Sequence, residues 1–409
     1  MNFDYGIIGG GPAGYTVAIR LAQNGHSVVL FEKEYLGGTC LNKGCIPTKS
    51  LLHSSEVYKQ VLNSSEYGLE VEIKSFDFAK VAEKRDKTVE KIRKGLELAV
   101  KNSGVNVVYA EAKITSNNTI IANNEEYSVK EIICATGAKP RELKGLDFDG
   151  EFILNSDDVL RLDKLPKSVL IIGSGAIGIE WARIFSNFGV EVALVELAEH
   201  LIPLADIEVS KRIERIFKQK KIKFYTNDCV EKIENKTVTL KSGVATEPDF
   251  ILSAVGRVPY KIDNIEKVLG DACGEIQLAH YAIQQGVNFV ENKNTTLDSN
   301  LIPSVIYGEP EIAWVGIKEQ DCDESFNKIT LPITALGKSW CDDATEGFIK
   351  IIAKDDYIVG AHIVSKEASA LIQQLLIAMQ NKISITQLKE VCFAHPTFSE
   401  GIFEAICRL

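Results

Sequence analysis

DYGIIGGGPAG at residues 4–14 and SVLIIGSGAIG at residues 168–178 have the same plan. An apolar strand enters a glycine turn, and a helix leaves it. In the first copy the helix GYTVAIRLAQNGH leads to a second apolar strand, SVVLFEK, and in the second copy the matching strand ends in VALVE. Gly9, Gly11 and Gly14 form one GxGxxG; Gly173, Gly175 and Gly178 form the other. Glycines at these spacings permit a tight turn and let backbone reach a pyrophosphate at a helix N-terminus. Glu32 follows Gly9 by 23 residues and Glu196 follows Gly173 by 23, each placed to accept from a ribose hydroxyl. One such pattern is weak, because glycine turns also end ordinary elements. Two copies, each inside strand, turn, helix and strand and each closed by a glutamate, imply two dinucleotide-binding domains. The fold class is therefore α/β with two Rossmann-like domains. A carboxylate at Glu196 repels a 2′-phosphate, so the second site should prefer NAD to NADP.

Outward from these units, residues 37–60 read as helical with a cysteine-rich start, and 76–103 as a long charged amphipathic helix stopped by Gly104. Residues 105–135 alternate like strands and hairpins, and 141–166 read as a connector. A further helix spans 207–220. After about residue 304 the pattern changes: GFIKIIAKDDYIVGAHIV reads as a hairpin and EASALIQQLLIAMQNK as an apolar-faced helix, which predicts a separate α+β domain. The expected division is 1–145, 146–258, a central segment 259–300, and 301–409.

The 409 residues are too many for one ordinary core. A composition 45% hydrophobic and 25% charged is that of a soluble globular chain. The net charge of −10 argues against bulk binding to nucleic acid or an anionic membrane. No run of 18 apolar residues predicts a transmembrane helix. The strand at Tyr5–Ile8 leaves no room for a secretory signal, which predicts cytoplasm or, after processing, an organelle matrix. Nine cysteines spread over the chain are no small disulfide framework, and no Cys/His cluster suggests a metal.

One cysteine pair stands apart. In GGTCLNKGCIPTKS, residues 37–50, Cys40 and Cys45 lie five positions apart. That is more than one helical turn, so bonding them requires a distorted helix start, and Gly37, Gly38, Gly44 and Pro47 make irregularity reasonable there. Two buried thiols would be the plain alternative. A helix N-terminus lowers a thiol's pKa, as a reactive thiolate needs. This segment, the two glycine motifs, ATG at 135–137, VGRVP at 255–259, GD at 270–271, LAHYA at 278–282 and HPTFSE at 395–400 together resemble the pyridine nucleotide–disulfide oxidoreductases. Within them the chain is most similar to the dihydrolipoyl dehydrogenase group, the flavoproteins of 2-oxoacid dehydrogenase and glycine-cleavage systems.

The resemblance implies FAD in the first site, NAD in the second, and a C-terminal dimerisation domain. It implies oxidation of protein-bound dihydrolipoyl groups through a Cys40–Cys45 disulfide. Cys40 would be the interchange thiol, and Cys45 would lie against the flavin as charge-transfer and adduct partner. Lys49 would sit near flavin N5 with Glu180 as its partner. Gly137, Asp271 and Ala279 would contact FAD, with Asp271 on the ribityl chain, and Gly256 would contact NAD. His395 would be the acid–base histidine, oriented by Glu400 and supplied by the other subunit of an obligate homodimer that meets a lipoyl domain and the core of its complex. A histidine titrates in the right range for that work. His280 is expected near FAD. His26, His53, His200 and His362 read as structural.

The chain departs from the family pattern in two places. Gly256 and Gly270 are only 14 positions apart, where the family has a hairpin and most of a strand; NIEK at 264–267 takes their place. Either a mobile segment belongs there or the deletion is real, and a real deletion would expose strand edges and threaten FAD. Ser365 stands where the family often has glycine, at an expected turn. Mercuric reductase is disfavoured because the C-terminal AICRL carries Cys407 alone. Glutathione reductase is disfavoured by Glu196. A non-catalytic dimeric binding subunit is the alternative from another class.

Overall fold

The computed structural model describes residues 2–260, 262 and 265–409. Two parallel sheets share one winding. In the first, the spatial order is Asn106–Tyr109, Val28–Glu32, Asn2–Ile8, Glu125–Cys134, then Thr119–Ala122 and Lys113–Ser116. The first four strands are parallel and the last two return as an antiparallel meander. In the second, the order is Lys223–Tyr225, Glu191–Val195, Ser168–Ile172, Phe250–Ser253 and Ile153–Leu154, all parallel. The glycine turn leaves the third strand in each order, where ligands of such sheets bind beyond the carboxyl ends.

The third unit is an antiparallel sheet ordered Ser304–Ile306, Glu311–Gly316, Tyr357–Ser365, Phe348–Lys354 and Asn327–Pro332. Leu371, Ile372 and Leu375 of the helix Ala368–Gln380 pack on one face of it. Its other side joins the core of the second Rossmann unit: Ile306, Ile312, Phe348 and Val364 belong to one buried cluster with Ile184, Phe185 and Phe217. An ionic lock reinforces this junction. Asp206 caps the helix Ile207–Gln219, accepting from the Glu208 N–H at 2.9 Å, and accepts from the Glu319 N–H at 2.8 Å. Lys350, 1% exposed, donates to Asp206 at 2.7 Å and also pairs with Glu319. The ammonium fills the space among the carboxylates of Asp206, Glu208 and Glu319.

Several expectations need correction. The helix read over 37–60 is two helices, Gly38–Lys43 and Cys45–Leu62, broken at Gly44. Ser365 is the buried last residue of a strand, one position before the turn, and its hydroxyl has no hydrogen-bond partner among the described residues. His362, read as structural, lies buried mid-strand, hydrogen-bonded to the Ile317 carbonyl at 2.9 Å and 3.9 Å from Asp206 of the lock.

The contracted interval is closed by what remains of the lost strand. Cys134 donates to the Lys267 carbonyl at 2.8 Å and accepts from Leu269 at 2.9 Å, a single parallel bridge beside the strand Glu125–Cys134. Ile262 and Ile265 pack against the buried cluster of Ile8, Phe31, Val129 and Ile132. A few apolar contacts and one bridge thus do the covering that a longer segment would do. This removes the expected conflict with an exposed edge. Asn264, the first residue of NIEK, lies outside the described residues.

Candidate active site

Cys45 opens the helix Cys45–Leu62, and Cys40 sits in the short helix before the break. The break at Gly44 turns the two side chains together. Both are thiols in this structure, hydrogen-bonded to each other. That bond, with Lys49 adding to it against the effect of burial, draws the Cys45 thiol down to about 7. The same bond, together with burial, pushes Cys40 well up. The negative charge therefore settles on Cys45, with the Cys40 S–H donating to it.

Lys49 is one helical turn beyond Cys45, on the same face. Its ammonium is 2.8 Å from both carboxylate oxygens of Glu180, which is 3% exposed on the helix Ala176–Asn187. Burial disfavours the Lys49 charge, but Glu180 outweighs it and the ammonium is retained. Glu180 also accepts from the Tyr307 N–H at 3.1 Å. The Tyr307 ring lies under the Lys49 ammonium, 4.7 Å from it to the centroid. Arg183 donates to the Tyr307 carbonyl at 2.8 Å. Tyr307 and Arg183 were not among the sequence candidates. Their spacing from Cys45 is long, and no local pattern marks them.

The two glycine turns are superimposable in their steric logic. A Cβ on Gly14 would stand 1.8 Å from the Gly9 carbonyl oxygen, and one on Gly178 would stand 2.0 Å from that of Gly173. Gly9 and Gly173 themselves have φ of 104° and 95°, which only glycine adopts readily. Gly11 and Gly175 cap the helices Pro12–Gln23 and Ala176–Asn187 with no side-chain acceptor and no acid in the first turn. Both helix ends thus keep donors for an anion. Glu32 accepts from the Gly10 N–H at 2.8 Å and the Glu34 N–H at 2.8 Å. Glu196 accepts from the N–H of Ser174 at 2.8 Å and of Ala198 at 2.9 Å. These carboxylates are thus already oriented by backbone; each Glu32 oxygen and Glu196 Oε1 keep a second lone pair for a hydroxyl, while Glu196 Oε2 also accepts from the Ser174 hydroxyl at 2.6 Å.

Other candidate residues line the passage between the two Rossmann units. Gly137, with φ of 74°, precedes the strand Ala138–Pro140, and Gly256, with φ of 92°, precedes its antiparallel partner Arg257–Pro259. Arg257 donates to the Ala138 carbonyl at 2.8 Å and pairs with Asp157 at 3.4 Å. Asp271 lies in the 3₁₀ turn Gly270–Cys273, where burial holds its carboxyl up against the charge of Arg257. Ala279 begins the helix Ala279–Val290, whose end also lacks a side-chain cap. His280 is hydrogen-bonded to the Pro303 carbonyl at 2.9 Å. The first turn, with its bare helix end, oriented Glu32 and half-buried Asp271, fits a flavin dinucleotide. The second, with its bare helix end and oriented Glu196, fits a nicotinamide dinucleotide.

His395 lies just ahead of the helix Glu400–Ile406. Its Nδ1 donates to Glu400 at 2.7 Å, and the Thr397 N–H donates to the other carboxylate oxygen at 2.8 Å. The Thr397 N–H first, then His395, hold the Glu400 carboxyl below its ordinary range. Glu400 therefore fixes the imidazole tautomer and leaves Nε2 outermost. The His395 side chain is 78% exposed, on the face of the C-terminal unit.

Two family models match the chain. Pyridine nucleotide-disulphide oxidoreductase covers residues 3–281, and the pyridine nucleotide-disulphide oxidoreductase dimerisation domain covers 302–406. Dihydrolipoyl dehydrogenase of Bacillus subtilis is 33% identical over 460 aligned positions, covering 99% of this chain and 97% of the relative. The mitochondrial dihydrolipoyl dehydrogenase of Pisum sativum is 34% identical, covering 98% and 90%. Leghemoglobin reductase of Vigna unguiculata is 33% identical, covering 98% and 86%. The 460 positions exceed the 409 residues here, so the Bacillus relative holds segments with no counterpart in this chain. The contraction between Gly256 and Gly270 is in keeping with that. Among solved structures, LpdA from Mycobacterium tuberculosis superimposes with a TM-score of 0.90 at 22% identity, covering 99% of each chain. The HOCl-induced flavoprotein disulfide reductase RclA from Escherichia coli gives 0.86 at 24%, covering 99% of each. At these identities the likeness shows the fold.

Proposed function

The chain belongs to the pyridine nucleotide–disulphide oxidoreductase family, and from that premise we propose that it oxidises dihydrolipoyl groups and passes the electrons to NAD. Flavin-mediated disulfide oxidoreductase activity is the property of the family, and the flavin- and NAD(P)-binding fold and dimerisation domain are present. The observation that carries the finer reading is at the cysteine pair: Cys45, drawn down to about 7 by Cys40 and, against burial, by Lys49, opens the helix that carries the Lys49–Glu180 ion pair one turn on. Curated relatives at 30% identity or more that are named for the lipoyl reaction add weight to it.

When bound in the first site, FAD would carry the electron pair between the cysteine pair and the nicotinamide. The protein's part begins with the oxidised Cys40–Cys45 disulfide. His395 of a second copy takes a proton from the dithiol, and the resulting thiolate attacks the Cys40 sulfur. The Cys40–Cys45 bond breaks and Cys45 leaves as thiolate, its charge met by Lys49. The second lipoyl sulfur then attacks the mixed disulfide. A lipoyl disulfide forms as the bond to Cys40 breaks; Cys40 leaves and takes up one proton, and the proton of the second lipoyl thiol stays on His395, so that Cys40 ends as thiol and His395 as imidazolium. Glu400 holds the imidazolium during the interval. Glu196 favours NAD over its phosphorylated form. The lipoyl arm would come from a 2-oxoacid dehydrogenase or glycine-cleavage complex. No described helix is long and apolar enough to cross a membrane, and we place the reaction in cytoplasm or an organelle matrix.

The test is NADH formation by purified protein supplied with FAD, dihydrolipoamide and NAD, with NADP as the matched control. NAD-specific turnover is expected. Retained FAD without turnover on dihydrolipoamide, but with turnover on another disulfide, would overturn the lipoyl assignment.

A further inference from the structure

The Tyr307 peptide is gripped on both sides. Its N–H is bound by Glu180 at 3.1 Å and its carbonyl by Arg183 at 2.8 Å, and both residues lie on one helix face three positions apart. Gly308 makes this grip possible. With φ of 129°, it carries no Cβ where one would stand 2.7 Å from the Arg183 guanidinium. Arg183 is 2% exposed, and two of its nitrogens, Nε and Nη2, have no hydrogen-bond partner among the described residues. A buried guanidinium left this short of partners is expensive to keep. Its one hydrogen bond is spent on the Tyr307 carbonyl. The gripped residue then presents its ring to the Lys49 ammonium at 4.7 Å, within the range of a cation–π contact.

We infer that Tyr307 is a positioning residue of the redox centre: clamped through its peptide by Glu180 and Arg183, its ring seats the Lys49 ammonium beside Cys45. Glu180 alone does not define that seat. A carboxylate accepting through both oxygens lets the long lysine chain swing about it, whereas a ring below closes the remaining direction. The groups that face Cys45 are Cys40, Lys49, Glu180 and Tyr307, with Tyr15 and Asp271 facing Cys40 behind it. Among them Lys49 is the only cation, so its placement governs how readily the thiolate forms. A weaker ring face loosens the ammonium and makes the thiolate harder to form.

The inference deepens the reading of the cysteine site and does not rest on the lipoyl assignment. Holoenzyme reduced by two electrons with dithionite needs no lipoyl substrate, so failure of the dihydrolipoamide assay and failure here are separate results. The readout is the pH midpoint of the long-wavelength absorbance of the Cys45 thiolate against the flavin. Tyr307→Phe keeps the ring and should titrate within about 0.2 units of the parent. Phenylalanines carrying one, two and three ring fluorines at position 307 keep the shape while weakening the π face. The midpoint should rise stepwise along that series, by about half a unit in total, a fraction of a cation–π contact of ~1 kcal/mol. Arg183→Met, which frees the carbonyl, should move it the same way. A flat or falling fluorine series overturns the inference, as does a shift in Tyr307→Phe as large as in the trifluoro variant, which would place the effect in the hydroxyl. The series is isosteric, so it decides the matter even if Arg183→Met fails to hold FAD.

Discussion

Cys45 and Cys40 differ in ionisation although they are chemically alike and five residues apart. The cause is the direction of one hydrogen bond and the position of one ammonium. In the reduced protein, thiolate should therefore appear through about pH 7 and be lost below it, with Cys40 staying protonated. Lys49→Met removes the stabilising charge, so the same transition should move upward toward the ordinary thiol value of 9.0. The pH dependence of thiol alkylation, mapped by mass spectrometry, measures both; an unmoved midpoint in the variant would contradict the assignment of Lys49. His395→Gln should lower turnover with dihydrolipoamide about 10²–10⁴-fold while leaving FAD content intact. Steady-state rates beside the flavin absorbance of the same sample check this.

At the scale of elements, the two glycine turns were legible in the sequence because their constraint is local. A carbonyl at Gly9 or Gly173 and a missing Cβ five residues on are properties of one short segment. The same locality makes a prediction. Gly178→Ala places a methyl 2.0 Å from the Gly173 oxygen and should disorder only the second turn, at about 1–3 kcal/mol. FAD should be retained and NAD-linked turnover lost, as absorbance and NADH formation will show; loss of both would mean that the two turns are not independent. His395 with Glu400 and Cys40 with Cys45 were also readable, since each pair lies within one short motif. Tyr307 was not, because nothing near it in sequence says that it meets a helix about 130 residues earlier. The exact place of the break at Gly44, expected only as irregularity among several glycines, and the one-bridge strand at Val268 were missed for a related reason. Helical periodicity runs through Gly44, and one bridge has no periodicity at all. Ser365 was placed at a turn because a polar residue after an apolar run looks like the end of a strand, whereas it is buried as the strand's last residue.

For the whole molecule, the proposal that His395 serves the cysteines of a second copy requires a complete site to take two chains. A protein carrying Cys45→Ser mixed and refolded with one carrying His395→Gln should recover about a quarter of parental activity. Half of the dimers formed at random are mixed, and each has one complete site of two. No recovery, with mixed dimers shown by mass, would place both residues in one chain's site. The Asp206–Lys350–Glu319 lock is the other long-range feature, with Asp206 and Lys350 144 residues apart. Burial opposes ionisation of Asp206, yet Lys350 keeps its carboxyl below the ordinary 3.8; its contribution is full above that value and is lost as pH falls through the depressed one. Lys350, raised above 10.5 by Asp206 and Glu319 against burial, contributes fully below 10.5 and loses its share as pH rises through the raised value. The lock is thus whole between these limits. Lys350→Met leaves Asp206 buried without its cation and should destabilise the junction by about 3–5 kcal/mol, read as a lower melting temperature. Asp206 has a further consequence, because one carboxylate both starts the helix Ile207–Gln219 and holds Glu319 of the next unit. A fluctuation that opens the junction also uncaps the helix. Amide protons at the start of that helix and along Phe348–Lys354 should therefore exchange with deuterium at a shared rate, as one cooperative unit spanning two structural ones.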